Sequence, residues 1–128
     1  MSITVSSPDL FDFADSLEWH GYCRSDGRVG IRNHRIVLST VALTDRLATA
    51  IATTDSDSLC IMGAFSRGLQ RHDEVIVERF IRSVLTHPNV GAALVLTHDR
   101  ASAERLAKEI DVEIPIDYLA FMQCAGRA

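Results

Sequence analysis

Short aliphatic runs that alternate with residues at helical spacing constrain this chain more than any other feature. Ile36-Val37-Leu38-Ser39-Thr40-Val41 and Gly91-Ala92-Ala93-Leu94-Val95-Leu96 are continuously apolar or small, the pattern of strands covered on both faces. Leu59-Cys60-Ile61-Met62 is a further strand candidate, and Val112-Glu113-Ile114 with Ile116 to Leu119 suggests a fourth, interrupted by Pro115. Between them lie helical patterns. Leu43 to Thr53 places Leu43, Leu47, Ala50 and Ile51 on one stripe. A longer helix opens at His72 or Asp73 and runs to about Leu85, with Ile76, Val77, Phe80, Ile81, Val84 and Leu85 inward and Glu74, Glu78, Arg79 and Arg82 opposite. His87-Pro88-Asn89 stops it, because a residue before proline avoids the helical region. Asp99 is placed to cap a third helix through Lys108, whose inward residues are Ala103, Leu106 and Ile110.

Strands alternating with helices imply right-handed crossovers and a parallel sheet. The expected fold is α/β: a small three-layer domain with a mainly parallel sheet of about four strands flanked by helices. At 128 residues the chain is the size of one domain. Residues 1–18 read as an N-terminal extension, with Leu10, Phe11, Phe13 and Leu17 suited to one short helix, and 19–128 as the domain itself. A last strand left at a sheet edge invites pairing unless something covers it. A homo-oligomer, or a complex with a larger chain, is therefore expected.

A net charge of -4 argues against a nucleic-acid partner, which needs a basic surface. Cys23, Cys60 and Cys124 are odd in number and form no CxxC pair, so neither a zinc knuckle nor a dithiol redox motif is supported. Free thiols, no secretory leader and no apolar run of about 20 residues together make a membrane partner unexpected and the cytoplasm the expected compartment.

The segment richest in chemistry is Gly21-Tyr22-Cys23-Arg24-Ser25-Asp26-Gly27-Arg28-Val29-Gly30-Ile31-Arg32-Asn33. Its three arginines alternate with glycines that let a backbone turn sharply or approach a ligand closely. Guanidinium forks match carboxylates bidentately, which suits Arg24, Arg28 and Arg32 to holding an organic acid. A solvated turn in which Asp26 pairs an arginine is the competing reading. The segment is no phosphate-cradling loop, since it lacks a Gly-Lys-Ser/Thr ending and precedes a strand. Elsewhere, His98-Asp99 at a strand end reads as an acid/base pair or a weak metal site, whereas His72-Asp73 reads as a helix start.

Taken together, GY-x-R-x-DGRVG-x-RN, the apolar strand and Thr40-Val41 resemble the catalytic region of the altronate and galactarate dehydratase family. The likeness continues at Asp73, at His87-Pro88-Asn89-Val90 before Gly91, and at Gln123 and Gly126. It spans about Trp19 to Gly126 and covers only the front part of that region, because family enzymes are longer. The resemblance implies metal-assisted dehydration of an aldonic or aldaric acid to a 2-keto-3-deoxy acid. Such chemistry needs a base beside the carboxylate, stabilisation of an enediolate and help for the departing hydroxide. It implies substrate-binding roles for the loop residues Arg24, Asp26, Arg28, Arg32 and Asn33; Arg67 is a further substrate-binding candidate, and His98 and Asp99 are catalytic candidates on their own chemistry rather than by resemblance. The resemblance also brings in iron or manganese as the family's divalent metal, although no cofactor is assigned to this chain and no residue of it is read as a metal ligand.

The family's three cysteine positions are occupied here by Leu43, Arg67 and Asp99. By resemblance they follow the carboxyl ends of successive strands, the edge where open α/β sheets bind ligands. Leucine cannot ligate a metal and arginine repels one; Arg67 and Asp99 read either as an ion pair or as two separate solvated side chains. The functional expectation is a subunit or truncated homologue of a sugar-acid dehydratase, catalytically incomplete alone. The alternative is a non-catalytic hydroxy-carboxylate-binding, regulatory or structural partner of a full-length lyase.

Overall fold

A computed structural model describes residues 18, 20–63 and 71–124. The expected N-terminal helix, Arg67 with its ion pair to Asp99, and Gly126 lie outside the described residues.

A two-stranded antiparallel ribbon comes first, β1 (Tyr22–Cys23) with β2 (Val29–Gly30). Then follow β3 (His34–Ser39), a single 3-10 turn (Ala42–Thr44), α1 (Asp45–Ala52), β4 (Ser58–Ile61) and α2 (Arg71–Leu85). The last elements are β5 (Val90–Thr97), α3 (Arg100–Glu109), β6 (Ile116–Ala120) and the short α4 (Phe121–Cys124). Strands β3 to β6 form one parallel sheet in the order β4-β3-β5-β6. The first crossover steps outward to β4, and the next two return past β3 to β5 and β6. Crossovers of one hand running in opposite directions place their helices on opposite faces. The expected three-layer α/β architecture is what is observed.

Side chains of a strand alternate between faces, and the two cores follow that alternation. On one face Ile36, Leu38, Ala93 and Val95 meet Ile81 and Leu85 of α2 and Leu106 and Ile110 of α3. On the other, Val37 and Leu96 meet Ala48 and Ala52 of α1. Leu38 and Val95 are wholly buried at the sheet centre.

Local departures from the sequence pattern have physical causes. The helix expected from Leu43 begins as the 3-10 turn, and Leu43 stays 57% exposed because the buried Thr44 takes the inward position. The Thr44 hydroxyl meets the Ser39 hydroxyl at 2.7 Å and donates to the Val41 carbonyl at 3.0 Å. Alanines 48 and 52 then face the sheet, and their small side chains allow a close approach. In α2 only Ile81 and Leu85 of the expected stripe are buried; Ile76 and Phe80 are exposed. The fourth strand starts after Pro115, with Val112 and Ile114 in the connection before it. Pro115 lacks an N–H to donate, but its carbonyl accepts from the Ala93 N–H at 3.0 Å and so seeds the pairing with β5.

Candidate functional site

The arginine segment forms the β1–β2 ribbon and the strap that leads into β3. Its turn is closed by the Arg24 N–H donating to the Arg28 carbonyl at 2.8 Å, with Gly27 at φ +83°, a conformation that favours glycine. Asp26 accepts from the Arg28 backbone N–H at 3.0 Å and from the Arg28 guanidinium at 2.7 and 2.6 Å. Those bonds, the side-chain ones foremost, hold the Asp26 carboxyl below its ordinary value and raise Arg28 above its own. Arg28 is thus engaged within its own turn.

Arg24 is engaged as well. Its Nε donates to the Pro88 carbonyl at 2.7 Å and its Nη2 to the Asn33 side-chain oxygen at 2.9 Å, and it lies over the Tyr22 ring at 6.0 Å. Asn89 completes the clamp: its side-chain oxygen accepts from the Ile31 and Arg32 N–H groups at 2.9 and 3.3 Å. Its own carbonyl accepts from the His34 N–H at 2.8 Å. The fit is tight enough that a Cβ on Gly30 would lie 2.1 Å from the Pro88 carbonyl oxygen. Arg32 differs from the other two. Its Nη1 donates to the Ile31 carbonyl at 3.0 Å, and among the described residues it pairs with no carboxylate.

Pro88 to Gly91 and His34 stand where β5 and β3 begin, so the strap lies against the amino ends of the strands. His98 and Asp99 follow Thr97 at the carboxyl end of β5. The eight residues of β5 span roughly 20–25 Å at strand rise. The structure brings Arg24, Asp26, Arg28, Arg32 and Asn33 together and holds His98 and Asp99 at the opposite edge of the sheet.

At that carboxyl edge Asp99 is the N-cap of α3, accepting from the Ser102 N–H at 2.8 Å, and the His98 Nδ1 lies 3.3 Å from its other oxygen. The Ser102 bonds, then His98, hold Asp99 below the ordinary carboxylate range. A carboxylate so stabilised is a weak base. A crevice of about 500 Å³ opens beside it, bounded by Thr40, Glu74, Glu78, His98, Ser102 and Arg105. It lies where the crossovers leave in opposite directions, between β3 and β5, the usual ligand position in such sheets. Arg105 there is already bonded to Glu78 and to Glu109.

The family positions do not fit a thiolate-held metal. Leu43 is exposed hydrocarbon, and the Asp99 carboxylate is engaged as a cap. Among the described residues no group of three His, Cys, Asp or Glu side chains is placed to hold an iron or manganese ion.

Sequence reasoning assigned no clamp role to Asn89, which it read as part of a helix stop and of the family likeness. It also missed Tyr22, His34, Arg35 and Asp57, which border Arg32 and Asn33 in a hollow of about 540 Å³. The Pro88-Asn89 dipeptide within the family likeness was the available signal for the first; nothing local marked the others.

The profile of the second domain of D-galactarate dehydratase/altronate hydrolase matches residues 21–127. The chain belongs to this family. A curated relative, the (2R)-sulfolactate sulfo-lyase subunit beta of Chromohalobacter salexigens, is 34% identical over 76 residues, which cover 59% of this chain and 20% of the relative. The chain therefore spans about a fifth of that protein. No solved structure matches. DGRVG-x-RN and His87-Pro88-Asn89-Val90, both inside the matched residues, are the two halves of one clamp. No described helix is long and apolar enough to cross a membrane.

Proposed function

We propose that this family domain serves as the acid-binding part of a sugar-acid lyase built from more than one chain, and that it is catalytically incomplete alone. Its substrate class is an aldonic or aldaric acid. The reading draws on family membership and on a relative that is itself named as a subunit of a lyase. One observation carries it: the guanidinium strap and the His98-Asp99 pair sit at opposite edges of the sheet. A base must come within hydrogen-bond reach of the proton it removes, about 2.6–3.2 Å. A gap of roughly 20 Å or more, the length of a strand, rules out one small substrate using both groups of the same chain. The base and the stabilisation of the enediolate then come from the larger chain. Three free thiols fit a reducing compartment, and the cytoplasm is the proposed location.

Co-expression with a larger lyase chain of the same family tests this. The expected result is a complex in which loss of water from D-galactarate or altronate appears only when both chains are present. Turnover by the isolated domain would reject it.

A second reading, a structural partner that docks without touching substrate, draws on the sheet edge at β4. Leu59, Met62, Ile76 and Phe80 are all exposed on or near that edge. A complex whose turnover is unchanged by Arg32→Ala would favour this reading over the first.

A further inference from the structure

Two hollows flank the arginine strap, and they differ in charge. One, of about 360 Å³, has Asp26, Asp111 and Glu113 around Arg24, Arg28 and His87. Arg28 is already paired with Asp26, and Arg24 is directed at the Pro88 carbonyl. That side is acidic in balance, and both of its guanidiniums are already bonded. The other is the hollow of about 540 Å³ between the ribbon and the amino ends of β3 and β4. It presents Arg32, which pairs with no carboxylate among the described residues, together with the Arg35 guanidinium, the His34 ring and the Tyr22 side chain. Arg35 contacts Asp55 at 2.7 Å and Asp57 at 3.6 Å, and remains more than half exposed. Asn33 and Ser56 add neutral hydrogen-bonding groups to the same wall.

We infer that the hollow lined by Arg32 and Arg35, not the side of the strap that carries Arg28, is the binding site for a small polyhydroxylated carboxylate. This rests on the acid-binding reading above and says where that binding occurs. Arg32 receives the carboxylate, since a guanidinium fork with no carboxylate partner among the described residues gives strong charge-assisted hydrogen bonds to it. Arg35 offsets the carboxylates of Asp55 and Asp57 at the wall of the hollow, and Asn33, Ser56 and Tyr22 are placed for hydroxyl groups along the chain of the acid. Asn89 is a positioning residue here: by accepting from the Ile31 and Arg32 N–H groups it fixes the backbone from which the Arg32 side chain reaches out.

Thermal shift and calorimetric titration of the full chain with D-galactarate test the assignment, with the uncharged hexitol galactitol as the control. Galactarate is expected to raise the melting temperature and galactitol to leave it unchanged. Arg32→Ala is expected to weaken galactarate binding by about tenfold or more, the effect of losing a charged hydrogen-bonding partner. Arg32→Lys, which keeps the charge but not the fork, falls between. Arg28→Ala keeps wild-type affinity. Among the described residues the Arg32 side chain bonds only a neighbouring carbonyl, so its variants are expected to fold. Should Arg28→Ala abolish binding while Arg32→Ala retains it, the hollow is wrong and the strap still binds acids. Should galactarate shift nothing in the wild-type chain, both the hollow and the acid-binding reading fail.

Discussion

Asn33 and Gly91 share one space: a Cβ on Gly91 would lie 2.2 Å from the Asn33 side-chain oxygen, the same oxygen that accepts from Arg24 at 2.9 Å. Two family stretches far apart in sequence are thereby locked at the amino edge of the sheet. The lock engages Arg24 through Nε and Nη2, whereas Arg32 pairs with no carboxylate among the described residues.

Substituting the two clamp glycines separates backbone from side-chain crowding. Gly30→Ala drives a methyl against the Pro88 carbonyl, which cannot rotate away. Gly91→Ala drives one against the end of the Asn33 side chain, which can. Overpacking costs about 1–3 kcal/mol, and Gly30→Ala is expected at the upper end, Gly91→Ala at the lower. Denaturant melts of both, with Asn33→Ala added to each, check this: Asn33→Ala should relieve the Gly91 variant and do nothing for the Gly30 variant.

Asn89→Ala removes an acceptor from two backbone N–H groups. At about 0.5–1.5 kcal/mol net for each bond, the loss is about 1–3 kcal/mol. Asn89→Asp keeps the acceptor and should recover most of it. Equilibrium urea unfolding with an unchanged slope would show that the native state, not the unfolded chain, has been altered.

Asp99 gives a dependence on acid. Its folded value lies below the ordinary one, chiefly because Ser102 donates to it. The stabilisation is therefore complete above the unfolded value of about 3.9 and is lost as pH falls through the lower folded value. Asp99→Asn still caps α3, because asparagine is as good a cap as aspartate, but it cannot titrate. Melting temperatures measured from pH 6 to pH 2 should fall less steeply for Asp99→Asn than for the wild type. Asp99→Ala should melt lower at every pH in that range.

Most of the fold was legible because its strands are aliphatic enough to be covered on both faces. Val37, Leu38, Val95 and Leu96 could belong only to a buried sheet, and the Pro88 stop and Asp99 cap bounded the helices between them. Which end of a strand a loop occupies follows from chain direction, and the strap before β3 had to lie at the amino edge. Its partners were not legible in the same way, since Arg24 and Pro88 are 64 positions apart and neither marks the other. Period alone also overstated burial: Ile76 and Phe80 were read on one stripe with Ile81 and Leu85, yet they remain exposed while those two are buried. Arginines spaced for a ligand clamp turned out to be spaced equally well for holding their own loop, and only the partners of each guanidinium separate the two uses.

Backbone amide shifts of the isotope-labelled chain, followed during titration with D-galactarate, locate the acid directly. The account predicts changes confined to the amides of Tyr22, residues 32–35 and Ser56–Asp57, with Thr40 and residues 97–99 unmoved. Changes centred on Thr40, His98 and Asp99 would contradict it, because they would put the acid in the crevice at the other end of the sheet.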